Sequence, residues 1–470
     1  MTLPGVSSLT EPSKRQLGIW MCTALVVGNM IGAGVFLLPA SLAPYGLNSI
    51  FAWFITATGA LFIAAVCAAL GRAYPAACGP YDYARLAFGE LAGFVVAWGY
   101  WISIWVSNAA IATDSVSYLS DLIPAIAPQP TAAFVTIAVI WALTGINIYG
   151  TRAAGSVQIV TTVLKILPLV AVIGLGLFAF GVRGDAPAQT MPAHFGIDAI
   201  TAAAALTLFS FLGLESATVP AGKVIDPART IPRATLIGTI VTAVIYVLAC
   251  TSVLLLIPTA TLAQSHAPFA DVARAFWGEP AAKAIAVFAI ISAVGALNGW
   301  ILLQGELPFH MARQGTFPAV FARETPRHTP IVSLCIGSAL TSVLLLFNAA
   351  KTMVDVFSFM VLLGTTACLV MYLMSALAML KLLRRGELPA LGIRAHWLAI
   401  AAIVAIVYSL WAIYGAGLST DATTCGGGLV CWMPALKNPA ILGILLTLSG
   451  IPVYYLMPRN VAKPAAAQNL

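Results

Sequence analysis

Charged side chains are scarce in this sequence. Asp, Glu, Lys and Arg make up only 8% of the 470 residues, whereas 60% of the residues are hydrophobic and the mean hydropathy is +0.96. A soluble domain usually carries about 25% charged residues, and a much smaller share cannot cover a water-exposed surface. The composition therefore excludes a large soluble protein and indicates one that lies in a lipid bilayer.

Several chemical signatures are missing as well. No Cys and His spacing resembles a metal site, and there is no phosphate-binding GxxxxGK[ST] loop. The apolar runs carry neither the clusters of His, Asp or Cys that a membrane enzyme needs nor the charged rings or filter motif of a channel. We therefore predict no cofactor and no metal, and these absences disfavour an enzyme, a channel and a pump driven by nucleotide hydrolysis.

Twelve long apolar runs are present. A membrane-spanning helix needs about 20 mostly apolar residues. The predicted spans are 17–43, 49–71, 92–121, 131–150, 156–181, 198–222, 234–257, 281–304, 330–349, 354–381, 397–416 and 440–457. Loops rich in Pro, Gly, Asp and Arg are expected at 71–90 and 224–233. The stretch 259–280 is too short and polar to span, so we predict an interfacial helix there.

The net charge of +7 follows this topology. Seventeen Lys and Arg residues lie on the side that holds both termini, five lie on the other side, and Lys165 lies inside a span, which accounts for all 23. Because cytoplasmic loops carry the excess of positive charge, the terminal tails 1–16 and 458–470 are predicted to be cytoplasmic in a bacterial inner membrane. The positive charge therefore indicates how the protein is oriented in the bilayer. It does not indicate a nucleic-acid partner.

Two cysteines lie in a loop that this topology places outside. Cys425 and Cys431 are separated by a short, Gly-rich segment. In an oxidising compartment we expect a disulfide between them, with two free thiols as the alternative.

Two predicted spans contain segments that weaken a helix. Span 1 has three Gly residues from Gly28 to Gly34, each costing about 1 kcal/mol against Ala, and span 6 combines Gly213 with Glu215. Close packing of small residues is the alternative explanation for each segment. Interrupted helices at corresponding positions of two halves are, however, typical of a transporter. The predicted domains are inverted five-helix repeats at 17–181 and 198–381 and two additional helices at 397–457.

A broken helix exposes backbone groups that suit an amino acid. The N–H groups that begin its second half suit a carboxylate, and the C=O groups that end its first half suit an ammonium. The carbonyls from Phe209 to Leu212 are predicted to bind the amino group of the substrate. The residues predicted to bind its carboxylate through the backbone are Met30, Ile31, Gly32, Ala33 and Gly34.

Five motifs occur together along the chain. They are GNMIGAGVFLLP at 28–39, GPYDYAR at 79–85, FLGLES at 211–216, DPARTIPR at 226–233 and Gly-Trp at 299–300. In their order and spacing the chain resembles the amino acid–polyamine–organocation transporter family over nearly its whole length. Within that family it resembles the bacterial arginine/agmatine and putrescine/ornithine exchangers. The resemblance implies a leucine-transporter-type fold, a secondary carrier with alternating access, and compatibility with a homodimer.

The resemblance also implies roles for single residues. The aromatic residues that close over the substrate match Tyr100, Phe209 and Trp300, and the gating glutamate of span 6 matches Glu215. The asparagine of span 3 matches Asn108. Besides the first break, the residues predicted to contact the substrate are Asn108, Phe209, Phe211, Leu212, Gly213 and Trp300.

Lys165 lies within span 5, where an ammonium costs at least about 3 kcal/mol unless it is paired or solvated. Snorkelling to the cytoplasm is the alternative to a function, although the residue is nine positions from the start of the span, about 13 Å along a helix. Some sodium-independent members of the family resemble this chain in having this Lys, whose ammonium replaces a sodium ion. We predict that Lys165 and Glu215 couple transport, through a proton where transport is proton-driven. For Glu215 a capping role is the alternative, and Asp114 is interpreted as interfacial.

The predicted substrate is a neutral amino acid or a broad set of amino acids. Ala33 and Phe209 stand where the arginine exchangers of the family have serine and tryptophan, and Phe offers a smaller cation–π platform. The ammonium of Lys165 also disfavours a dicationic substrate. An arginine/agmatine-type or polyamine antiporter is the alternative, and both exchange and proton-coupled uptake stay open.

Overall fold

The computed structural model describes residues 18–32, 34–74, 77, 79–149, 154–183, 195–215, 224–326, 329–388, 395–418 and 438–457. The secondary structure of these residues is helical. Their α-helices are α1 (Ile19–Met30), α2 (Leu38–Leu42), α3 (Asn48–Ala73), α4 (Pro80–Phe88), α5 (Glu90–Leu122), α6 (Thr131–Tyr149), α7 (Ala154–Leu177), α8 (Ile197–Leu208), α9 (Pro227–Leu256), α10 (Thr259–Leu262), α11 (Pro268–Trp277), α12 (Glu279–Arg313), α13 (Ile331–Phe347), α14 (Met353–Arg385), α15 (Ala395–Leu418), α16 (Pro439–Leu448) and α17 (Gly450–Leu456).

The helices follow the predicted spans closely. Within the described part of the chain, nine helical segments are long and apolar enough to cross a membrane. Three shorter apolar helices, Ile19–Met30, Ile197–Phe211 and Ile331–Phe347, coincide with predicted spans 1, 6 and 9. The prediction of an all-helical membrane protein is confirmed, whereas the count of twelve spans and the inverted repeats stay predictions. The two terminal tails lie outside the described residues, as do Cys425 and Cys431.

Three loop or helix boundaries were predicted wrongly. α4 lies inside the expected loop 71–90, α9 begins at Pro227 inside the expected loop 224–233, and the stretch 259–280 holds α10 and α11 instead of one helix. Each of α4, α9 and α11 begins with a Pro at its first turn. Proline favours the first turn of a helix, because its fixed φ suits the helix and its missing N–H would be unpaired there. Hydropathy does not detect such polar helix starts.

α5 and α14 form the centre of the bundle. In the most apolar 18-residue window of each helix, 89% of α5 and 78% of α14 are buried inside the protein, against 39% of α6. Small residues let the two helices approach closely, since a Cβ at Gly364 of α14 would lie 3.0 Å from Ser107 Oγ of α5. α5 also packs along α12. The face that α5 turns to each neighbour therefore decides which of its residues reach the centre.

Candidate transport site

The first predicted break is present between α1 and α2. α1 ends at Met30, Ile31 is extended with φ −71° and ψ 124°, and Gly32 and Gly34 have φ of +100° and +82°. Only glycine adopts such positive φ values readily, so the sequence leaves the helix here. A Cβ at Gly32 would lie 3.2 Å from Ala296 Cβ of α12, which shows how closely the unwound backbone packs on that helix. Ala33 lies outside the described residues.

Side chains from other helices donate hydrogen bonds to the backbone carbonyls at the end of α1. Lys165, which is fully buried, donates from Nζ to the Gly28 carbonyl at 3.1 Å, and the Tyr246 hydroxyl donates to the Met30 carbonyl at 2.6 Å. These carbonyls belong to the last turn of α1, where no intrahelical N–H reaches them. The ammonium of Lys165 also suits the negative end of the helix dipole. Lys165 therefore points at the first break and does not snorkel to a surface.

The second predicted break begins where α8 ends. Phe209–Phe211 form one turn of 3-10 helix, Leu212 is extended with φ −63° and ψ 137°, and Gly213 has a φ of +97°. Residues 216–223, which would continue this segment, lie outside the described residues. Phe211 packs edge-on against Trp53 and Tyr246. Span 6 is therefore interrupted at the predicted position.

The two breaks pack against each other. A Cβ at Gly213 would lie 3.4 Å from Asn29 Cβ at the end of α1, and a Cβ at Gly34 would lie 3.0 Å from Phe209 Cε1. Beside them is a cavity of about 250 Å³. Its lining residues are Leu25, Asn29, Tyr100, Gly213, Glu215, Gly299, Trp300, Leu302, Leu303 and Glu306. Tyr100, Gly213, Glu215 and Trp300 were predicted at the site, whereas Met30, Ile31, Phe209, Phe211 and Leu212 are buried in the adjacent backbone breaks.

Glu215 is held by two tyrosines. The Tyr100 hydroxyl donates to Oε1 at 2.8 Å, and the Tyr372 hydroxyl of α14 donates to Oε2 at 2.6 Å. Hydrogen bonds to a charged acceptor are short and strong. The carboxylate therefore ties α5 and α14 to the second break. Tyr372 was missed from the sequence because it lies 157 positions from Glu215 within an ordinary apolar run.

The Tyr372→Phe and Tyr100→Phe variants are each expected to lower the free energy of unfolding by about 1.5–3 kcal/mol, because each loses a hydrogen bond to a charged group. Thermal denaturation of the purified protein measures this change. Tyr414→Phe is the control, since Tyr414 is 61% exposed on α15. If the denaturation midpoints of Tyr372→Phe and Tyr100→Phe both match that of the parent, the two tyrosine hydrogen bonds to Glu215 do not stabilise the protein.

Asn108 contacts the neighbouring helix α12. Its Nδ2 donates to Gln304 Oε1 at 2.8 Å, and Gln304 in turn donates to the Leu334 carbonyl and to Ser338 Oγ, both at 3.1 Å. The other amide atom of Asn108, Oδ1, is buried and accepts no hydrogen bond within the described part of the chain. The network therefore fixes the orientation of Asn108 and leaves one acceptor for a ligand.

Asp114 was placed wrongly from the sequence. It is not exposed at an interface, because its side chain is 0% exposed in the interior of the bundle. Both carboxylate oxygens are buried without a hydrogen-bond partner among the described residues. An ionisable group inside a membrane bundle without a partner is expected to have a function.

A charged cluster closes the C-terminal end of α5. Arg274 of α11 reaches both carboxylate oxygens of Asp121 at 2.9 Å, contacts Asp271, and reaches Glu279 Oε2 at 2.7 Å. Next to it, Phe269 packs edge-on against Phe36, which follows the first break, with ring centres 5.5 Å apart. α11 is therefore attached to the C-terminal end of α5 and packs against the segment that follows the first break.

Arg274→Gln is expected to loosen α11 from α5. The parent for this test carries Ser117→Cys, since Ser117 is buried under α11 and donates to the His266 carbonyl, with Cys425 and Cys431 replaced by Ser. Losing these partly exposed ion pairs removes about 1.4 kcal/mol, which corresponds to labelling by a maleimide about tenfold faster. Arg313→Gln, which breaks the pair with Glu324 at the other end of α12, is the control. Equal labelling of both variants would refute the closure by Arg274.

A helical membrane bundle in which two interrupted helices meet beside a cavity is a secondary transporter by its architecture. The amino acid permease family matches residues 17–426. The chain belongs to this family. A protein of Bacillus subtilis named "Putative arginine/ornithine antiporter" is 32% identical over 96% of this chain and 99% of its own length.

Other similar proteins carry related names. The "Putrescine transporter PotE" of Haemophilus influenzae is 30% identical over 86% of this chain and 92% of its own length. The "Cadaverine/lysine antiporter" of Escherichia coli is 32% identical over 72% of this chain and 77% of its own length. Among solved structures, a mutant manganese transporter of Eremococcus coleocola has a TM-score of 0.59 at 14% identity, covering 96% of this chain and 99% of its own. At that identity the likeness concerns the fold alone.

Proposed function

We propose that this protein exchanges amino acids across a bacterial inner membrane by alternating access, with both termini in the cytoplasm. The observation that carries the proposal is the contact between the two breaks beside the cavity, with Gly34 against Phe209 and Gly213 against Asn29. The N–H groups of Met30 and Ile31 belong to the hydrogen-bonded end of α1, where the Ile31 N–H donates to the Val27 carbonyl. The N–H groups of Gly32, Ala33 and Gly34 therefore bind the substrate carboxylate, and the carbonyls from Phe209 to Leu212 bind its ammonium. This arrangement suits a zwitterion.

The side chains around the breaks supply gating and coupling in this proposal. Tyr100, Phe209 and Trp300 close over the substrate, and Asn108 Oδ1 accepts a hydrogen bond from it. Glu215 links the second break to α5 and α14 through its two tyrosines, so a movement of the second break is coupled to both helices. Lys165 supplies a fixed positive charge at the first break.

The test is a thermal-shift screen of the purified protein against twenty amino acids and common polyamines, followed by counterflow into proteoliposomes. A ligand at 100 times its Kd stabilises the folded state by about 2.7 kcal/mol. Leucinamide and the amine isopentylamine serve as controls for leucine, because each lacks the carboxylate. We expect the shift to need both the carboxylate and the ammonium. A shift with the amides and amines but with no amino acid would refute binding of a zwitterion.

The substrate side chain is the second question. The neutral or broad preference predicted from Ala33, Phe209 and Lys165 stays a prediction. A buried acidic group favours a second candidate, a basic amino acid or a diamine, because Asp114 is buried and has no hydrogen-bond partner among the described residues. The names of the three relatives also refer to cationic amino acids or diamines. Lysine and ornithine therefore stand beside leucine in the screen.

A further inference from the structure

Within the described part of the chain, Asp114 is a buried carboxyl group with no basic side chain bonded to it. Its side chain is 0% exposed, and neither oxygen has a hydrogen-bond partner in the described structure. The backbone N–H of Leu37 lies beside the carboxyl group. Tyr118, one turn further along α5, donates its hydroxyl to the Phe36 carbonyl instead. A carboxylate in this setting calls for a ligand that brings positive charge.

The position of Asp114 connects it with the transport route. Tyr100, Ser107 and Asp114 are seven positions apart along α5, and residues two turns apart share a face of a helix. Tyr100 lines the cavity at one end of this face, and Asp114 meets the chain at Leu37 at the other end. Leu37 is three residues after Gly34, a stretch of at most about 10 Å. In the binding pose proposed below, the substrate carboxylate lies at Gly34 and the flexible four-carbon stem of a lysine extends along this stretch to Asp114.

We propose that Asp114 binds the distal cationic group of the transported substrate and thereby selects basic amino acids or diamines over neutral amino acids. The inference rests on the proposed amino acid exchange and on its second substrate candidate. The ligand group is a primary ammonium or a guanidinium, each of which donates several N–H bonds to a carboxylate. Asp114 is then a specificity-determining residue, distinct from the backbone groups that bind the α-amino acid part.

The test compares ligand pairs that differ only in the distal group. Lysine is paired with norleucine and arginine with citrulline, and affinities are measured by titration of the purified protein and by counterflow. Asp114→Asn removes the charge in the same shape, and Asp114→Glu keeps it. Asp198→Asn is the matched control, because Asp198 is an exposed carboxylate in the first turn of α8. We expect Asp114→Asn to weaken lysine and arginine about 10- to 100-fold and to leave norleucine and citrulline unchanged. Asp114→Glu and Asp198→Asn are expected to keep the preference of the parent.

Several outcomes would overturn the inference, and they distinguish a failure of the proposed exchange from a failure of the role of Asp114. If the parent binds no amino acid at all, the proposed exchange itself fails. If the parent binds norleucine as tightly as lysine, exchange stands and the selection by Asp114 is wrong. If the parent prefers lysine but Asp114→Asn keeps that preference, another group selects the cation. If Asp114→Asn loses only the pH dependence of exchange, the carboxylate binds a proton instead of the substrate.

Discussion

A Lys165→Met variant is expected to fold but to lose transport. Methionine removes the donor to the Gly28 carbonyl, which costs about 1–3 kcal/mol for an unpaired buried group. It also removes a buried charge, and replacing such a charge by an apolar side chain often offsets a loss of that size. The denaturation midpoint is therefore expected to stay near that of the parent. Counterflow is expected to fall at least tenfold, about 1.4 kcal/mol or more of barrier, because the charge at the first break is gone.

The Tyr246→Phe variant tests whether the effect of Lys165→Met comes from the lost hydrogen bond at the end of α1 or from the lost positive charge. It removes the hydrogen bond to the Met30 carbonyl, two residues from Gly28, without changing any charge. We expect this variant to lose about 1–3 kcal/mol of stability and to keep most of its transport. The opposite pattern of the two variants assigns the transport defect to the ammonium. Lys165→Met with the rate and pH profile of the parent would remove Lys165 from the mechanism.

The second large effect is expected from Gly34→Ala. A residue other than glycine at a φ of +82° costs about 1–2 kcal/mol. The new methyl would also lie 2.8 Å from Phe357 Cε2 and 3.0 Å from Phe209 Cε1, and overpacking of this kind costs about 1–3 kcal/mol more. Thermal denaturation is expected to show a loss of about 2–5 kcal/mol. Substrate affinity should fall as well, because the methyl points between the two breaks.

Gly315→Ala is the matched control for this prediction. Gly315 has a φ of +76°, but a Cβ there meets nothing within 4 Å. It is therefore expected to lose only the backbone contribution of about 1–2 kcal/mol and to keep its substrate affinity. If Gly34→Ala and Gly315→Ala lose the same stability and neither changes the affinity for substrate, the close packing of the two breaks contributes to neither property.

The helix breaks were predictable because their cause is local. Glycines that reach positive φ stand in the sequence at Gly32, Gly34 and Gly213, and the backbone leaves the helix at those positions. The start of α9 was missed for the opposite reason, since the polar residues after Pro227 carry no hydropathy signal. Lys165 was noticed as an unusual residue in an apolar run, whereas its place next to span 1 came from the resemblance to the family.

The partners of Glu215 and the environment of Asp114 were not predictable. Glu215 meets Tyr100 and Tyr372 across 115 and 157 positions of sequence. The spacing along α5 puts Asp114 on one face with Tyr100 and Ser107, but this helix is buried on nearly all sides, so the pattern does not show which neighbour that face meets. A hydrophobic run gives the approximate depth of a residue in the bilayer but not the rotation of its helix about the axis.

The sequence by itself determined that this protein is a helical membrane bundle with two weakened helices and a lysine inside a span. Those properties depend on composition and on backbone preferences that act within a few residues. Only the tertiary structure decided that the two weakened segments touch, that two tyrosines hold Glu215, and that Asp114 is buried without a hydrogen-bond partner among the described residues. These contacts depend on the rotation and packing of helices that are far apart in the chain, and in an apolar bundle no local pattern specifies them.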